Sequence, residues 1–328
     1  MSGNFSLTLA KAKKEDEFYT QITDIEKELK HYAKYFKNKH IFCNCDDPET
    51  SSFWRYFALN FNRLGLKRLT STHYTEDNIS YQMDMYKEVP KTEIFKKTFL
   101  TLEETGISLP MGYITDLSDN GDFRNNESIR ILEECDIVVT NPPFSLFREY
   151  IDQLIYYKKN FIVIGNQNAV TYKETFNYLQ KGVMWLGVTY GDMSFKVPSH
   201  YEPRTTRFWI DELGQKWRSM GNICWYTNLD FPKRHENLVL FKEYSPEEYP
   251  FYDNYNIINV NKVSEIPKNY YGVMGVPITF FNKFNPEQFE IVGLANSARY
   301  LGDLECYTLI NCKKIYNRVL IKIKDNTQ

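Results

Sequence analysis

Cys135-Asp136-Ile137-Val138-Val139-Thr140-Asn141-Pro142-Pro143-Phe144 is an apolar run that stops at a polar residue, two prolines and an aromatic. Ile137, Val138 and Val139 are β-branched and uncharged, which suits a strand buried on both faces of a parallel sheet. Neither proline has an N–H to donate and each restricts the residue before it, so the ladder cannot continue. The run predicts a central strand with Asn141–Phe144 on a rigid loop at its carboxyl end. Open α/β sheets place their ligands there.

The groups on that loop define a chemistry. An exocyclic amine on a nucleobase, or an amide nitrogen, is a poor nucleophile because its lone pair is delocalised. The Asn141 side-chain oxygen and a proline carbonyl can accept its N–H protons, placing the nitrogen as charge develops. Phe144 can stack on the ring that carries the amine, as when a base is flipped out of a duplex. Asn-Pro-Pro-aromatic is similar to the signature loop of amino-group methyltransferases.

Toward the amino terminus, residues 1–16 are polar and basic and predict a frayed start. Ile22, Ile25, Leu29 and Tyr32 then recur at helical spacing. His40–Cys45 reads as a strand ending in Asp46-Asp47-Pro48. Ser51 or Ser52 caps the next helix, whose apolar stripe is Phe53, Trp54, Phe57, Ala58, Phe61 and Leu64, closed by Gly65. Leu66–His73 is a second strand. Strand, acidic turn, helix, strand begins a doubly wound sheet. The acidic turn suits a sulfonium and an amino-acid tail better than a phosphate, and there is no Gly-x-Gly to recommend NAD or a P-loop nucleotide. Equally, it reads as an acidic turn favouring the helix dipole.

Tyr81, Met83 and Met85 alternate as in an edge hairpin, and Thr92–Glu104 reads as helical. Gly112–Asp116 and Gly121-Asp122-Phe123 lead toward the central strand. Asp122 can accept from a cofactor adenine while Phe123 covers its ring, or can be a plain turn aspartate.

Beyond Phe144, Ser145 opens a helix to Lys158, Phe161–Gly165 is a strand, Thr171–Gln180 a helix and Val183–Thr189 a strand. The alternation stops near Tyr190. Thr205–Asp211, Asn222–Asn228, Gly272–Pro277, Phe289–Leu294 and Ile315–Ile323 read as further strands, and 244–271 as a long loop. Arg204, Arg207, Lys233 and Arg234 lie among Phe208, Trp209, Trp217 and Trp225, a pattern that suits nucleic acid or a solvated sheet face.

The 328 residues hold ample core, and a net charge of -2 leaves any phosphate contact to local patches. Aromatic residues reach 16%, enough to supply stacking platforms as well as core. No apolar run of membrane-spanning or signal-peptide length occurs, and the six cysteines show no Cys-x-x-Cys spacing, so reduced thiols, no metal and a cytoplasmic location are expected.

Taken together, Asp16-Glu17-Phe18-Tyr19-Thr20, Cys43-Asn44-Cys45-Asp46-Asp47-Pro48, Asn141-Pro142-Pro143-Phe144 and Glu202-Pro203-Arg204-Thr205-Thr206-Arg207-Phe208-Trp209 resemble the EcoRI-type adenine-specific DNA methyltransferases, of the class called gamma. The resemblance implies an α/β, Rossmann-like sheet with a strand-rich carboxyl-terminal target-recognition region. It implies S-adenosyl-L-methionine as methyl donor, double-stranded DNA as partner and N6-methyladenine as product, in a restriction-modification or phage-defence context with GAATTC as a candidate site. A cognate endonuclease would be a functional rather than physical partner. By the same likeness Asn141, Pro142, Pro143 and Phe144 are catalytic. Phe18, Tyr19, Thr20, Asn44, Asp46, Asp47, Pro48, Asp122 and Phe123 meet the cofactor. Arg204, Arg207, Trp225, Lys233 and Arg234 meet DNA, Trp225 covering the second face of the flipped base. The broad superfamily has glycines in the first loop and this chain has none. Residues 1–190 are expected to form the catalytic domain and 191–328 the recognition region. The alternatives are a protein-glutamine or RNA methyltransferase sharing the loop, and a non-catalytic DNA-binding regulator.

Overall fold

A computed structural model describes residues 18–75, 80–88, 96–101, 108–295 and 308–324. The expected frayed start, Asp16 and Glu17 of the first motif, and Cys306 lie outside them. The chain forms two compact units, Met1–Asn166 with Thr189–Leu229, and Gln167–Val188 with Asp230–Gln328. The suggested division at residue 190 does not coincide with them.

The first unit opens with α1 (Ile22–Leu29), a 3-10 turn and α2 (Ala33–Phe36). Ile25, Leu29 and Tyr32 are buried, as their spacing predicts. The strand β1 (His40–Cys43) is buried at every residue. Next, α3 (Ser52–Leu59) starts where the Ser51 hydroxyl accepts from the Phe53 N–H at 3.0 Å. The helix breaks at Asn60, resumes as α4 (Phe61–Leu64) and ends at left-handed Gly65. After β2 (Arg68–Thr72) come β3 (Tyr81–Tyr86), β4 (Lys96–Thr101) and β5 (Ser108–Asp116).

Two expectations fail here. β3 is no edge: it pairs antiparallel with both β2 and β5. The described part of Thr92–Glu104 is strand, antiparallel to β5, rather than helix. A helix that the sequence reading lacks, α5 (Asn126–Glu134), precedes the central strand β6 (Ile137–Thr140). Ser145 does not open a helix. It sits inside a 3-10 turn over Phe144–Leu146, and α6 (Phe147–Tyr156) begins after it. β7 (Asn160–Asn166) follows; the next helix, α7 (Lys173–Gln180), belongs to the second unit. The chain returns through β8 (Trp185–Lys196), which runs past the expected end at Thr189, and then β9 (Phe208–Ile210) and β10 (Lys216–Thr227).

These strands form one mixed sheet in the order β4-β5-β3-β2-β1-β6-β7-β10-β8, with β9 on β10. The middle strands β2, β1, β6 and β7 are parallel. β1 has β2 on one side and β6 on the other, each reached by a crossover. That makes the gap between β1 and β6 a topological switch point, with both loops leaving at the carboxyl ends. Val138, Val139, Ile162 and Val163 are wholly buried, as a doubly covered sheet requires.

The second unit has its own sheet. The expected loop 244–271 contains β11 (Phe251–Tyr252) and β12 (Tyr255–Asn259). β13 (Met274–Pro277), β14 (Phe289–Ala295) and, after the ribbon of β15 (Leu309–Ile310) with β16 (Lys313–Lys314), β17 (Arg318–Ile323) complete it in the order β11-β12-β13-β17-β14. Met274, Val276, Phe280, Phe289 and Ile321 fill its core.

Candidate active site

The switch point brings three segments of the first unit together. The first is the loop after β1. The buried Asp46 carboxylate accepts from the Ser51 hydroxyl at 2.8 Å, from the Thr140 hydroxyl and from the Asn141 main-chain N–H at 3.2 Å. The Thr140 hydroxyl in turn accepts from the Cys45 N–H at 3.0 Å. Burial pushes the Asp46 carboxyl up to about 6, against the pull of those three donors. Both of its oxygens are committed inside the protein, so Asp46 ties the two loops together rather than facing a ligand.

Asp47 accepts from the Glu49 N–H at 2.8 Å and lies 2.9 Å from His73 Nδ1, at the end of β2. The His73 ring stacks on Tyr81. Pro48 is buried. Asn44 is buried with its carbonyl held by the Thr72 hydroxyl, while its Nδ2 has no acceptor among the described residues. A buried donor without a partner is costly.

The second segment is the loop after β6. Pro142 is buried and the Pro143 carbonyl accepts from the Leu146 N–H at 2.9 Å, turning the chain into α6. The Asn141 Nδ2 donates to the Phe18 carbonyl at 2.6 Å and to the Thr20 hydroxyl at 3.3 Å. Its Oδ1 is buried and has no donor among the described residues.

The third segment is Phe18-Tyr19-Thr20, held by a two-way backbone bridge between Tyr19 and Lys196. The Phe18 ring stacks on Phe144, with centroids 5.5 Å apart and planes at 23°. Phe195 and Tyr201 meet Phe18 edge-on at 5.7 and 6.1 Å. Phe144 is buried under this cluster, so the face expected to receive a base carries Phe18 instead. Beside it a cavity of about 520 Å³ is bordered by Tyr19, Thr20, Glu49, Arg55, Lys196 and Lys216.

The Asp122 turn packs against the end of β2. Gly121 is left-handed, and a Cβ there would fall 2.0 Å from the His73 carbonyl oxygen. The Asp122 carboxylate is paired with Arg124, at 2.6 and 2.8 Å, and also accepts the Arg124 N–H. Phe123 is buried edge-on against Tyr150, 5.0 Å away. Neither presents the open group that the sequence reading gave it.

Among the expected DNA contacts, Trp225 is corrected. It lies in β10 opposite Ile164, wholly buried and 5.9 Å from Phe53, with no face for a base. The run Ile223-Cys224-Trp225-Tyr226-Thr227 carries the signal that was missed, since five unbroken apolar or β-branched residues read as a doubly covered strand. Arg204 lies over the Tyr201 ring at 5.7 Å. Arg207 is half-exposed, left-handed, and paired with Asp192 at 3.3 Å. Lys233 and Arg234 fall in the second unit, where they border a cavity of about 490 Å³ with Trp185, Phe231, Phe281 and Asn282. There the Arg234 guanidinium lies 3.9 Å over Trp185 and pairs with Asp230. The sequence reading also missed Thr140, Phe195 and Tyr201, whose ordinary residue types give no signal until the strands are assembled.

A family model described as "Adenine-specific methyltransferase EcoRI" matches residues 6–326. The chain is 47% identical to the Type II methyltransferase M.EcoRI of Escherichia coli, over 98% of this chain and 97% of that protein. It is 39% identical to the Type II methyltransferase M.MgeORF184P of Mycoplasma genitalium (95% and 97% covered) and 35% identical to M.MpnI of Mycoplasma pneumoniae (97% and 98%). No solved structure gives a significant match.

Proposed function

Because this chain belongs to the EcoRI family of adenine-specific methyltransferases, we propose that it methylates the N6 amine of a flipped adenine in duplex DNA, with S-adenosyl-L-methionine as donor, within a restriction-modification system. The observation that carries the reading is the Asn141 amide, whose buried Oδ1 has no donor among the described residues. An N–H of the target amine satisfies that oxygen, and the Pro142 carbonyl takes the other. Both bonds draw the nitrogen's hydrogens into line and free its lone pair for attack.

The cofactor supplies an activated methyl on a sulfonium. The residues present fit it: Asn44 offers an Nδ2 that has no acceptor among the described residues, Asp47 and Pro48 line the same loop, and the Asp122 turn packs against the end of β2. An adenine reaches Phe144 by taking the position that Phe18 holds against it. Arg204 and Arg207 supply phosphate contacts, and Lys233 and Arg234 serve the same end in the target-recognition region. No general base of unusual pKa is needed, since the proton leaves after the methyl has moved.

Incubation with methyl-labelled S-adenosyl-L-methionine and duplex DNA, followed by nucleoside analysis, tests this. N6-methyladenine is the expected product. Label found only on cytosine, RNA or protein overturns the reading.

A further inference from the structure

Asn141 holds its free oxygen in place through bonds that come from outside its own loop, and those bonds give Thr20 a task. The Phe18 carbonyl 2.6 Å away can only accept, so the amide group facing it must be the NH2. The second N–H of that NH2 points to the Thr20 hydroxyl, itself buried, at 3.3 Å. With both protons taken, the amide cannot turn over without setting its oxygen against the Phe18 carbonyl. Oδ1 is thereby left facing a direction from which none of the described residues donates. The main chain of Asn141 is fixed independently, through the Asp46 carboxylate.

We propose that Thr20 is a positioning residue for methyl transfer: its hydroxyl, with the Phe18 carbonyl, orients the Asn141 amide so that Oδ1 is presented to the target amine. This rests on the reading of Asn141 given above, and it assigns Thr20 a role on the substrate side of the site in addition to its place near the cofactor. A residue that acts only by touching the cofactor would alter cofactor affinity. One that orients the amide alters the rate of the transfer step.

The test compares Thr20→Val, which keeps the shape and removes the hydroxyl, with Thr20→Ser, which keeps the hydroxyl. Single-turnover methylation of duplex DNA is measured together with equilibrium binding of S-adenosyl-L-methionine and of DNA, and with the thermal midpoint. For Thr20→Val the transfer rate is expected to fall about three- to tenfold, as loss of one orienting hydrogen bond implies. DNA affinity is expected to stay within about twofold, and any loss of cofactor affinity to be smaller than the loss of rate. Thr20→Ser is expected to recover most of the rate. A Thr20→Val protein as fast as wild type overturns the proposal, and so does one whose rate loss is matched by lost cofactor affinity. A Thr20→Ser variant as slow as Thr20→Val overturns it as well, and this arm stands even where the valine variant folds poorly. If wild type itself transfers no methyl to duplex DNA, the functional reading fails first, and the two failures are told apart.

Discussion

The loops that leave β1 and β6 lie side by side at the switch point, yet they use their polar groups in opposite ways. After β1, the Asp46 carboxylate takes three donors, all from within the protein. After β6, Asn141 donates both amide protons inward and keeps one buried oxygen that no described residue satisfies. The first arrangement fastens one loop to the other. The second leaves a local cost of about 1–3 kcal/mol, which an amine bound as proposed would remove. The two loops thus differ in which polar atoms remain unsatisfied, even though either residue type can play either part.

Replacing Asn141 should give the largest effect. Asn141→Ala is expected to lower single-turnover methylation about 10²–10³-fold, the scale of losing one group aimed at developing charge. Its stability should change by no more than about 1 kcal/mol, and DNA affinity should be largely kept. A variant of near-normal rate breaks the comparison at once.

Asp46→Asn should show the reverse pattern, costing about 1–3 kcal/mol of stability in denaturant titrations, because its NH2 is served only by a hydroxyl that turns to accept while the Asn141 N–H still needs the amide oxygen. The sign of its pH dependence sharpens the contrast. The Asp46 carboxyl titrates near 6 when folded and near 3.8 when unfolded, so the native state holds the extra proton between those values. The stabilisation gained from that proton is fully present below about pH 4 and is lost as pH rises through about 6. The stability gap between wild type and Asp46→Asn should therefore widen on acidification across that window. A gap that narrows would mean that Asp46 is not the buried clamp described.

Phe18→Ala removes the ring that covers Phe144 while leaving the backbone carbonyl that holds Asn141. Fluorescence of 2-aminopurine at the target position should report a flipped state favoured by about two- to tenfold, the worth of one aromatic stack. An unchanged or weaker signal would show that Phe18 is not what the base displaces. The smallest effect belongs to the residues outside both loops. Replacing Arg204 and Arg207 by Gln should leave the transfer step alone and reduce the salt dependence of DNA binding, by a log–log slope of about 1 for each phosphate that is no longer neutralised. Arg207 has to exchange Asp192 for a phosphate to contribute.

The parallel heart of the sheet was legible because its signals are local and mutually consistent. The β-branched run at 137–139 ends against two prolines, the Ser51 cap opens a helix, and left-handed Gly65 closes one. The antiparallel extension was not. Lys96-Lys97-Thr98-Phe99-Leu100-Thr101 has no helical stripe and no clean alternation, and its pairing with β5 is what makes it a strand. α5 escaped notice because Ile131 and Leu132 are its only wholly apolar buried residues. At the site, residue type singled out the Asn141 loop but could not say which way a carboxylate turns. Asp46 and Asp122 look alike as turn aspartates, and only the assembled fold gives one to the neighbouring loop and the other to Arg124.

The three bonds that pin Asn141 come from residues 95, 121 and 123 positions earlier in the chain. Pairings so distant in sequence exist only where the intervening polypeptide has been gathered in. A truncated, nascent or partly unravelled copy therefore has the motif but not the geometry. In this molecule, modifying the genome is a privilege of chains that have finished folding.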